Sequence, residues 1–126
     1  MNIARLTLDW VRMSDLSMNS RLHWRKKSRL VKAQRGMATA IAQEARLHLA
    51  RKQVPDAGSI FITLTCCPPS GTVYPDDDNF ITAQKGALDA IAKVLGVDDS
   101  RFKVQPVRKG ERSKDGGVIV EIAIAA

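Results

Sequence analysis

Residues Ser59 to Cys67 read SIFITLTCC, a run that is apolar or β-branched at nearly every position. Such a run is typical of a central strand that is covered on both faces of a sheet. Turn-forming residues bound the run, because Gly58 precedes it and Pro68 follows it. We therefore expect a central β-strand here, and the other elements are predicted outward from it.

The segment before this strand has helical periodicity. Four of its apolar residues recur at steps of four positions: Met37, Ile41, Ala45 and Leu49. This spacing predicts an amphipathic helix from about Leu30 to Lys52. The polar and basic stretch from Ser14 to Ser28 is predicted to be an exposed loop, and alternating apolar residues from Ile3 to Trp10 predict a first strand.

A second helix and two further strands are expected after the central strand. Asp78 or Asn79 is a good N-cap, and Gly96 is suited to the C-terminal end of the helix that would lie between them. Phe102 to Val107 and Val118 to Ile124 are then predicted to pair as a hairpin. The expected fold is α/β (α+β), a single compact domain over residues 1–126 with a mixed sheet of about four strands and two helices, in the order β-α-β-α-β-β.

Charge is distributed unevenly along the chain, whose formal net charge is +7 at pH 7. A basic protein of this kind is attracted to polyanions such as nucleic acid. One basic group contains no acid: Arg21, Arg25, Lys26, Lys27, Arg29, Lys32 and Arg35. A second contains only Glu111 as an acid: Arg101, Lys103, Arg108, Lys109, Arg112 and Lys114. Six carboxylates lie close together between the two groups, within residues 76–99: Asp76, Asp77, Asp78, Asp89, Asp98 and Asp99.

No stretch of the sequence approaches the roughly 20 apolar residues of a membrane span, and the N-terminal residues lack the apolar core of a signal peptide. We therefore expect a cytoplasmic protein without a membrane partner. Cys66 and Cys67 are neighbours in the predicted central strand, where successive side chains point to opposite faces. A disulfide between them would be strained, so both are interpreted as reduced packing residues.

The acidic centre has the residue types that a hard cation prefers. Asp76 and Asp78 lie two residues apart in an extended segment, so their carboxylates can point the same way and hold one cation. Asp98 and Asp99 come after the second helix, and only tertiary folding could bring them near the first pair. The alternative is that these residues cap a helix and form a solvated turn. Consecutive like charges nevertheless repel each other unless a cation or basic group offsets them.

Three short motifs stand out in this region: DDDN at 76–79, KGALDAI at 85–91 and GVDDSR at 96–101. They resemble the pattern DxDN, KxxxDAL and a DD pair of the RusA-type Holliday-junction resolvases. The resemblance implies a compact mixed α/β fold and a homodimer that acts on four-way DNA junctions. It also implies that Asp76, Asp78 and Asp99 bind Mg²⁺, and that Lys85 is catalytic together with these aspartates.

The position of Lys85 departs from the usual pattern of the family. The family lysine follows the Asn of DxDN by three residues, whereas Lys85 follows Asn79 by six, and Thr82 occupies the expected position. The spacing downstream of Lys85 is intact, so we interpret the difference as a three-residue insertion. The alternative role for Lys85 is an ion pair with Asp89 at the helix surface.

A basic and aromatic segment, RLHWRKKSR, supplies the predicted DNA contacts. Cations there can bind phosphates, and an aromatic ring can stack on an exposed base. The predicted DNA-binding residues are Arg21, Trp24, Arg25, Lys26, Lys27 and Arg29. The alternative is a solvated basic loop with Trp24 folded into the core.

Together with these features, the resemblance to the RusA-type resolvases implies a Mg²⁺-dependent endodeoxyribonuclease that resolves Holliday junctions and other branched DNA by phosphodiester hydrolysis. Carboxylate-held Mg²⁺ can activate water and offset the charge that develops on the phosphate. The motifs of P-loop enzymes, dinucleotide-binding proteins, serine hydrolases and CxxC zinc sites are not found in the sequence. Two alternatives stay open: a metal-dependent nuclease without junction preference, and a catalytically silent DNA-binding protein.

Overall fold

The computed structural model describes residues 1–16, 21 and 23–125. The predicted central strand is β2 (Ile60–Cys67), and it lies inside the sheet. On one side it pairs antiparallel with β5 (Gly117–Ile124) over its whole length. On the other side of β5 lies β1 (Asn2–Leu8), which is also antiparallel to β5. The prediction of a strand at this central position is therefore confirmed.

The second edge of β2 carries two short strands, β3 (Phe102–Val104) and β4 (Arg108–Lys109), and both run parallel to β2. The predicted hairpin between the last two strands is therefore wrong, because β5 lies on the opposite side of β2 from β3 and β4. A helical crossover leads from β2 to β3, and such crossovers join parallel strands. The long apolar β5 is then left to pair with the free edge of β2.

Only one face of β2 is fully covered. Ile60, Ile62, Leu64 and Cys66 are buried, whereas the alternate residues from Phe61 to Cys67 are half-buried. The expectation that both faces are covered is wrong, since threonines at alternate positions are accommodated on a half-exposed pleated surface. Cys66 and Cys67 are free and lie on opposite faces of the strand.

The basic segment is helical rather than a loop. α1 (Met13–Leu16) and α2 (Trp24–Glu44) occupy both ends of the stretch that was predicted as loop, and residues 17–20 and 22 lie outside the described residues. His23 caps α2, because its Nδ1 accepts the backbone N–H of Arg25 at 3.3 Å. Arg and Lys are good helix formers, so a polar composition did not exclude a helix.

The C-terminal half of the predicted first helix also differs. α2 ends at Glu44, Arg46 is left-handed with φ of 59°, and Leu47–Gln53 form a 3₁₀ helix. The buried residues of α2 are Gln34, Ala38 and Ala42. The predicted apolar stripe is therefore wrong at its end, since the turn at Arg46 changes the helical register and leaves Leu49 50% exposed.

The second helical region is divided in two. α3 (Asp77–Ala83) and α4 (Lys85–Leu95) meet at Gln84, which is buried. α4 ends at Gly96 as predicted, with the left-handed φ of 77° that favours glycine. The helices and the sheet surround one apolar core, so the predicted single α/β domain is confirmed. Strands and helical regions alternate as predicted, but the described residues form five strands rather than about four, and four α-helices rather than two. None of the helices in the described ranges has the length and apolarity that crossing a membrane requires.

Candidate functional site

Asp76 is the N-cap of α3. Its backbone is extended, with φ of −70° and ψ of 160°, and its Oδ1 accepts the backbone N–H of Asn79 at 3.0 Å. The capping alternative therefore holds for Asp76, although a carboxylate has a second oxygen that can accept or ligate. Asp77 and Asp78 follow in the first turn of α3, where negative charge is favoured by the helix dipole, and both are exposed.

The two aspartates of the DD pair have different surroundings. The Oδ1 of Asp98 accepts the backbone N–H of Ser100 at 2.9 Å, and this hydrogen bond lowers the pKa of Asp98. Asp99 instead hydrogen-bonds with Asp89 of α4, and this contact, with partial desolvation and the repulsion of the Asp89 charge, raises the pKa of Asp99. Asp98 is thus a local cap, whereas Asp99 belongs to a pair of interacting carboxyls.

Lys85, Asp89 and Asp99 line a single cavity of about 330 Å³. Thr82 also lines it, and its apolar wall contains Phe102 of β3. Lys85 is the first residue of α4 and is exposed, so its ammonium group can reach the cavity through its flexible stem. The structure therefore places the predicted catalytic lysine beside one predicted metal ligand, Asp99.

The described residues contain no group of three or more His, Cys, Asp and Glu side chains that could hold a metal ion. Asp76, Asp78 and Asp99 consequently do not form the three-ligand cluster that the resemblance implies. Asp76 and Asp78 lie at the start of α3, and α3 and α4 separate them along the chain from Asp99. Mg²⁺ binding by these aspartates stays a prediction.

Asp89 is the site residue that the sequence predictions missed. It follows Lys85 by four residues on α4, a spacing that places both on one side of a helix, and this periodicity could have identified it. The predicted ion-pair alternative named Lys85 as the partner of Asp89. Among the described residues, the ion pair of Asp89 is instead with Arg35 of α2, whose Nη2 lies 3.1 Å from Oδ2.

Close packing holds α2 against the start of α4. The Nε2 of Gln34 donates to the backbone oxygen of Ala83 at 2.8 Å, and a Cβ added at Gly86 would lie 2.5 Å from the Oε1 of Gln34. Gly86 therefore allows an approach that a larger residue would prevent. As a result, Lys27 of α2 and Lys85 of α4 line the same smaller cavity of about 220 Å³.

The basic face of α2 continues from this cavity to an exposed tryptophan. Trp24 is 66% exposed, so the alternative in which it folds into the core is wrong. Its ring stacks with that of His23 at 5.7 Å between centroids, and the Arg25 guanidinium carbon lies 5.1 Å from the Trp24 centroid. An open groove of about 670 Å³ runs along this helix and is lined by Trp24, Lys27, Ser28, Val31, Lys32 and Arg35.

The remaining predicted DNA-binding residues lie around the N-terminal half of α2. Arg21 is exposed in the chain before the helix, and Arg25, Lys26 and Arg29 are exposed on α2 itself. Lys27 is half-buried, on the side that faces α4. The cations thus lie on more than one side of the helix, and their contact with DNA stays a prediction.

Comparison with known proteins identifies a relative. No protein-family model matches the chain. An uncharacterized protein of Xylella fastidiosa (strain Temecula1) is 37% identical over 117 residues, which cover 93% of this chain and 74% of the relative. This similarity extends over nearly the whole described domain, including the helices and strands around the candidate site. The chain therefore belongs to the same family as this Xylella fastidiosa protein.

Proposed function

We propose that this protein is a Mg²⁺-dependent endodeoxyribonuclease that cuts Holliday junctions and other branched DNA. The observation that carries the proposal is that Asp89, Asp99 and Lys85 line one cavity, in which Asp89 raises the pKa of Asp99. The motif resemblance to RusA-type resolvases supplies the substrate class. The basic helix α2 beside the cavity supports a polyanionic substrate.

The donor set at this cavity fits Mg²⁺. Asp89 and Asp99 supply carboxylate oxygens, and two carboxyls in contact repel each other when both are ionised, as the raised pKa of Asp99 reflects. Mg²⁺ is bound in proteins by one or two carboxylates together with substrate phosphates. Asp76 and Asp78 remain proposed Mg²⁺ ligands and catalytic residues because of the motif resemblance. Bound Mg²⁺ would supply the Lewis acid that phosphodiester hydrolysis requires.

The protein's own cations have separate roles in this proposal. Lys85 stabilises negative charge on the scissile phosphate or the leaving oxygen, because its side chain shares the cavity of Asp99. Lys27 and Arg35 neutralise phosphates along α2, and Trp24 stacks on an unpaired base. Unpaired or splayed bases occur at branch points and are available to stack on the exposed ring of Trp24. A fully paired duplex offers no such base.

The proposed assembly is a homodimer in the cytoplasm. Two symmetric cuts on a two-fold junction require two sites, and a symmetric dimer supplies them. Light scattering at micromolar concentration should give about twice the mass of the chain, either alone or on a junction. A protein that stays monomeric in both conditions would remove the dimer from the proposal.

The direct test compares wild type with Asp99→Asn and Asp78→Asn on a labelled four-way junction and a linear duplex, in Mg²⁺ and in EDTA. Asp56→Asn is a matched control, since Asp56 is exposed in the turn before β2. We expect Mg²⁺-dependent cutting of the junction by wild type and the control, and none by the other two variants. Equal cutting of both substrates would support a nuclease without junction preference.

A catalytically silent DNA-binding protein is the second candidate. The observation that favours it is the exposed aromatic and basic surface of α2, which could bind DNA without a nearby reaction. Junction binding without cutting in the same experiment, at any divalent ion concentration, would select this second candidate.

A further inference from the structure

The structure divides the second basic group into cations with different roles. Arg101 is committed to the fold, because its Nε donates to the backbone oxygen of Gly58 at 2.9 Å and its Nη2 to that of Pro55 at 2.7 Å. Lys103 is exposed on β3 and is paired across the strands with the half-buried Phe61 of β2. The other four cations, Arg108, Lys109, Arg112 and Lys114, are all exposed in or after β4.

Tyr74 organises two of these cations. The Nζ of Lys109 lies 5.4 Å from the centroid of the Tyr74 ring, and the Arg112 guanidinium carbon lies 4.5 Å from it. The hydroxyl of Tyr74 donates to the backbone oxygen of Gly110 at 2.6 Å, and Arg112 also donates to the backbone oxygen of Thr72. Each cation is attracted to the negative face of the ring. Tyr74, Lys109 and Arg112 are called the tyrosine cluster below.

The backbone that carries the tyrosine cluster is held against β2. The N–H of Gly110 donates to the backbone oxygen of Cys66 at 2.8 Å. A Cβ at Gly110 would lie 2.4 Å from the Sγ of Cys67 and 2.7 Å from the Cγ2 of Thr65, so the close approach requires glycine. The backbone that carries these cations is therefore fixed before a ligand binds, which lowers the conformational-entropy cost of binding.

The tyrosine cluster adjoins the acidic centre. Tyr74 precedes Asp76, the N-cap of α3, by two residues. Arg112 contacts the Tyr74 ring and the backbone oxygen of Thr72, which precede this N-cap by two and four residues. α3 is about 10 Å long at 1.5 Å per residue. Lys85 and the part of α2 that packs on α4 lie at the other end of α3. The start of the acidic centre is thus bordered by cations that are distinct from those of α2.

We propose that the tyrosine cluster is a second phosphate-contacting surface, which binds the backbone of a nucleic-acid strand whose other contacts are on α2. The inference rests on the proposed function only for the identity of the substrate. The cations are exposed rather than enclosed, which suits a strand that runs over the surface, whereas a single free phosphate would need an enclosing set of donors. Tyr74 is a positioning residue, since it acts through the two cations.

The test measures binding in EDTA, where no Mg²⁺-dependent cutting occurs. The double variant Lys109→Gln/Arg112→Gln is compared with Lys52→Gln/Lys93→Gln, which removes two exposed charges from the far ends of the 3₁₀ helix and α4. Fluorescence anisotropy on a labelled four-way junction between 50 and 200 mM NaCl gives Kd and its salt slope. We expect the tyrosine-cluster variant to bind about tenfold more weakly. The slope of log Kd against log salt concentration should fall by close to 2, because each of two lost phosphate contacts accounts for about 0.9.

Equal effects of the two double variants would overturn the proposal, because they would show only a loss of net charge. Tyr74→Leu supplies a second variant that keeps every charge. It should weaken junction binding by about threefold while its salt slope falls less than that of the double variant. A Tyr74→Leu protein that is folded by circular dichroism and binds as wild type does would also overturn the role of Tyr74.

A labelled polyglutamate peptide of 20 residues tests the other class of partner. Binding of this peptide as tight as that of the junction, and equally sensitive to Lys109→Gln/Arg112→Gln, would assign the surface to an acidic protein and overturn the proposal. The outcome is independent of catalysis: a protein that binds junctions through the tyrosine cluster but does not cut them in Mg²⁺ retains this inference and loses the proposed nuclease function.

Discussion

The guanidinium of Arg35 lies 3.1 Å from the carboxylate of Asp89, and this ion pair joins α2 to α4. Asp89 also contacts Asp99, so one carboxylate connects the basic helix with the acidic pair of the cavity. The ion pair is partly exposed, and surface pairs of this kind contribute less than about 1 kcal/mol. A phosphate bound on α2 can therefore compete for Arg35 at little cost to the fold.

Asp89→Asn should lower the pKa of Asp99. The substitution removes the charge whose contact and repulsion raise that pKa. In wild type the folded state binds more protons than the unfolded state between the ordinary and the raised pKa of Asp99, so this group's contribution to stability falls as the pH rises through that window. A carboxyl NMR titration of both proteins measures the shift, with Asp56→Asn as the control. An unchanged titration of Asp99 would show that Asp89 is not the cause.

Asp76→Asn and Asp76→Ala should separate helix capping from chemistry. Asn is as good an N-cap as Asp, so Asp76→Asn should keep the stability of α3, whereas Asp76→Ala should cost about 1 kcal/mol of unfolding free energy. Under the proposed function both variants lose cleavage. Urea denaturation and junction cleavage measure the two effects. Wild-type cleavage by a stable Asp76→Asn protein would leave Asp76 with a capping role alone.

Lys85→Ala should slow junction cleavage about a hundredfold or more, the scale of losing one electrostatic stabiliser. Lys85 is the first residue of α4, where the helix dipole disfavours a cation, so its removal should not lower stability. Junction binding in EDTA should change much less than the cleavage rate. Lys93→Ala, in the last turn of α4, is the matched control and should cut as wild type does. Wild-type turnover by Lys85→Ala would leave the aspartates to act without this lysine.

The two sides of α2 should differ in their contribution to DNA binding. Lys27 and Arg35 line the cavities beside α4 or the groove of Trp24, whereas Lys26 and Arg29 project elsewhere at about 100° per residue. Charge removal at Lys27 and Arg35 should lower junction affinity and its salt slope more than removal at Lys26 and Arg29. Anisotropy over a salt series provides the measurement. Equal losses from both pairs would mean that the helix attracts DNA only through its total charge.

Local patterns in the sequence determined several elements correctly. The run SIFITLTCC identified the central strand, since apolar and β-branched residues are most stable where a sheet buries them. Gly96 identified the end of the second helical region, because a left-handed C-terminal residue favours glycine. The predicted N-cap of α3, Asp78 or Asn79, was wrong by two or three residues, since the side chain that accepts the backbone N–H three residues ahead is that of Asp76.

The tertiary structure decided the features that depend on distant contacts. The sequence predicted one helix from Asp78 or Asn79 to Gly96, but the helix is interrupted at Gln84, where Gln34 of α2 binds the end of α3. Thr82, Lys85 and Asp89 nevertheless share a cavity.

The neighbours of the acidic residues could not be predicted from local spacing. Arg35 and Asp89 are 54 residues apart, and β5 displaces β3 and β4 to the other edge of β2. Local hydrogen bonds and side-chain periodicity determine where a helix or strand forms, because both act over a few residues. Which carboxylates and cations meet depends on how those elements pack around the core, and that packing is set by contacts between residues far apart in the chain.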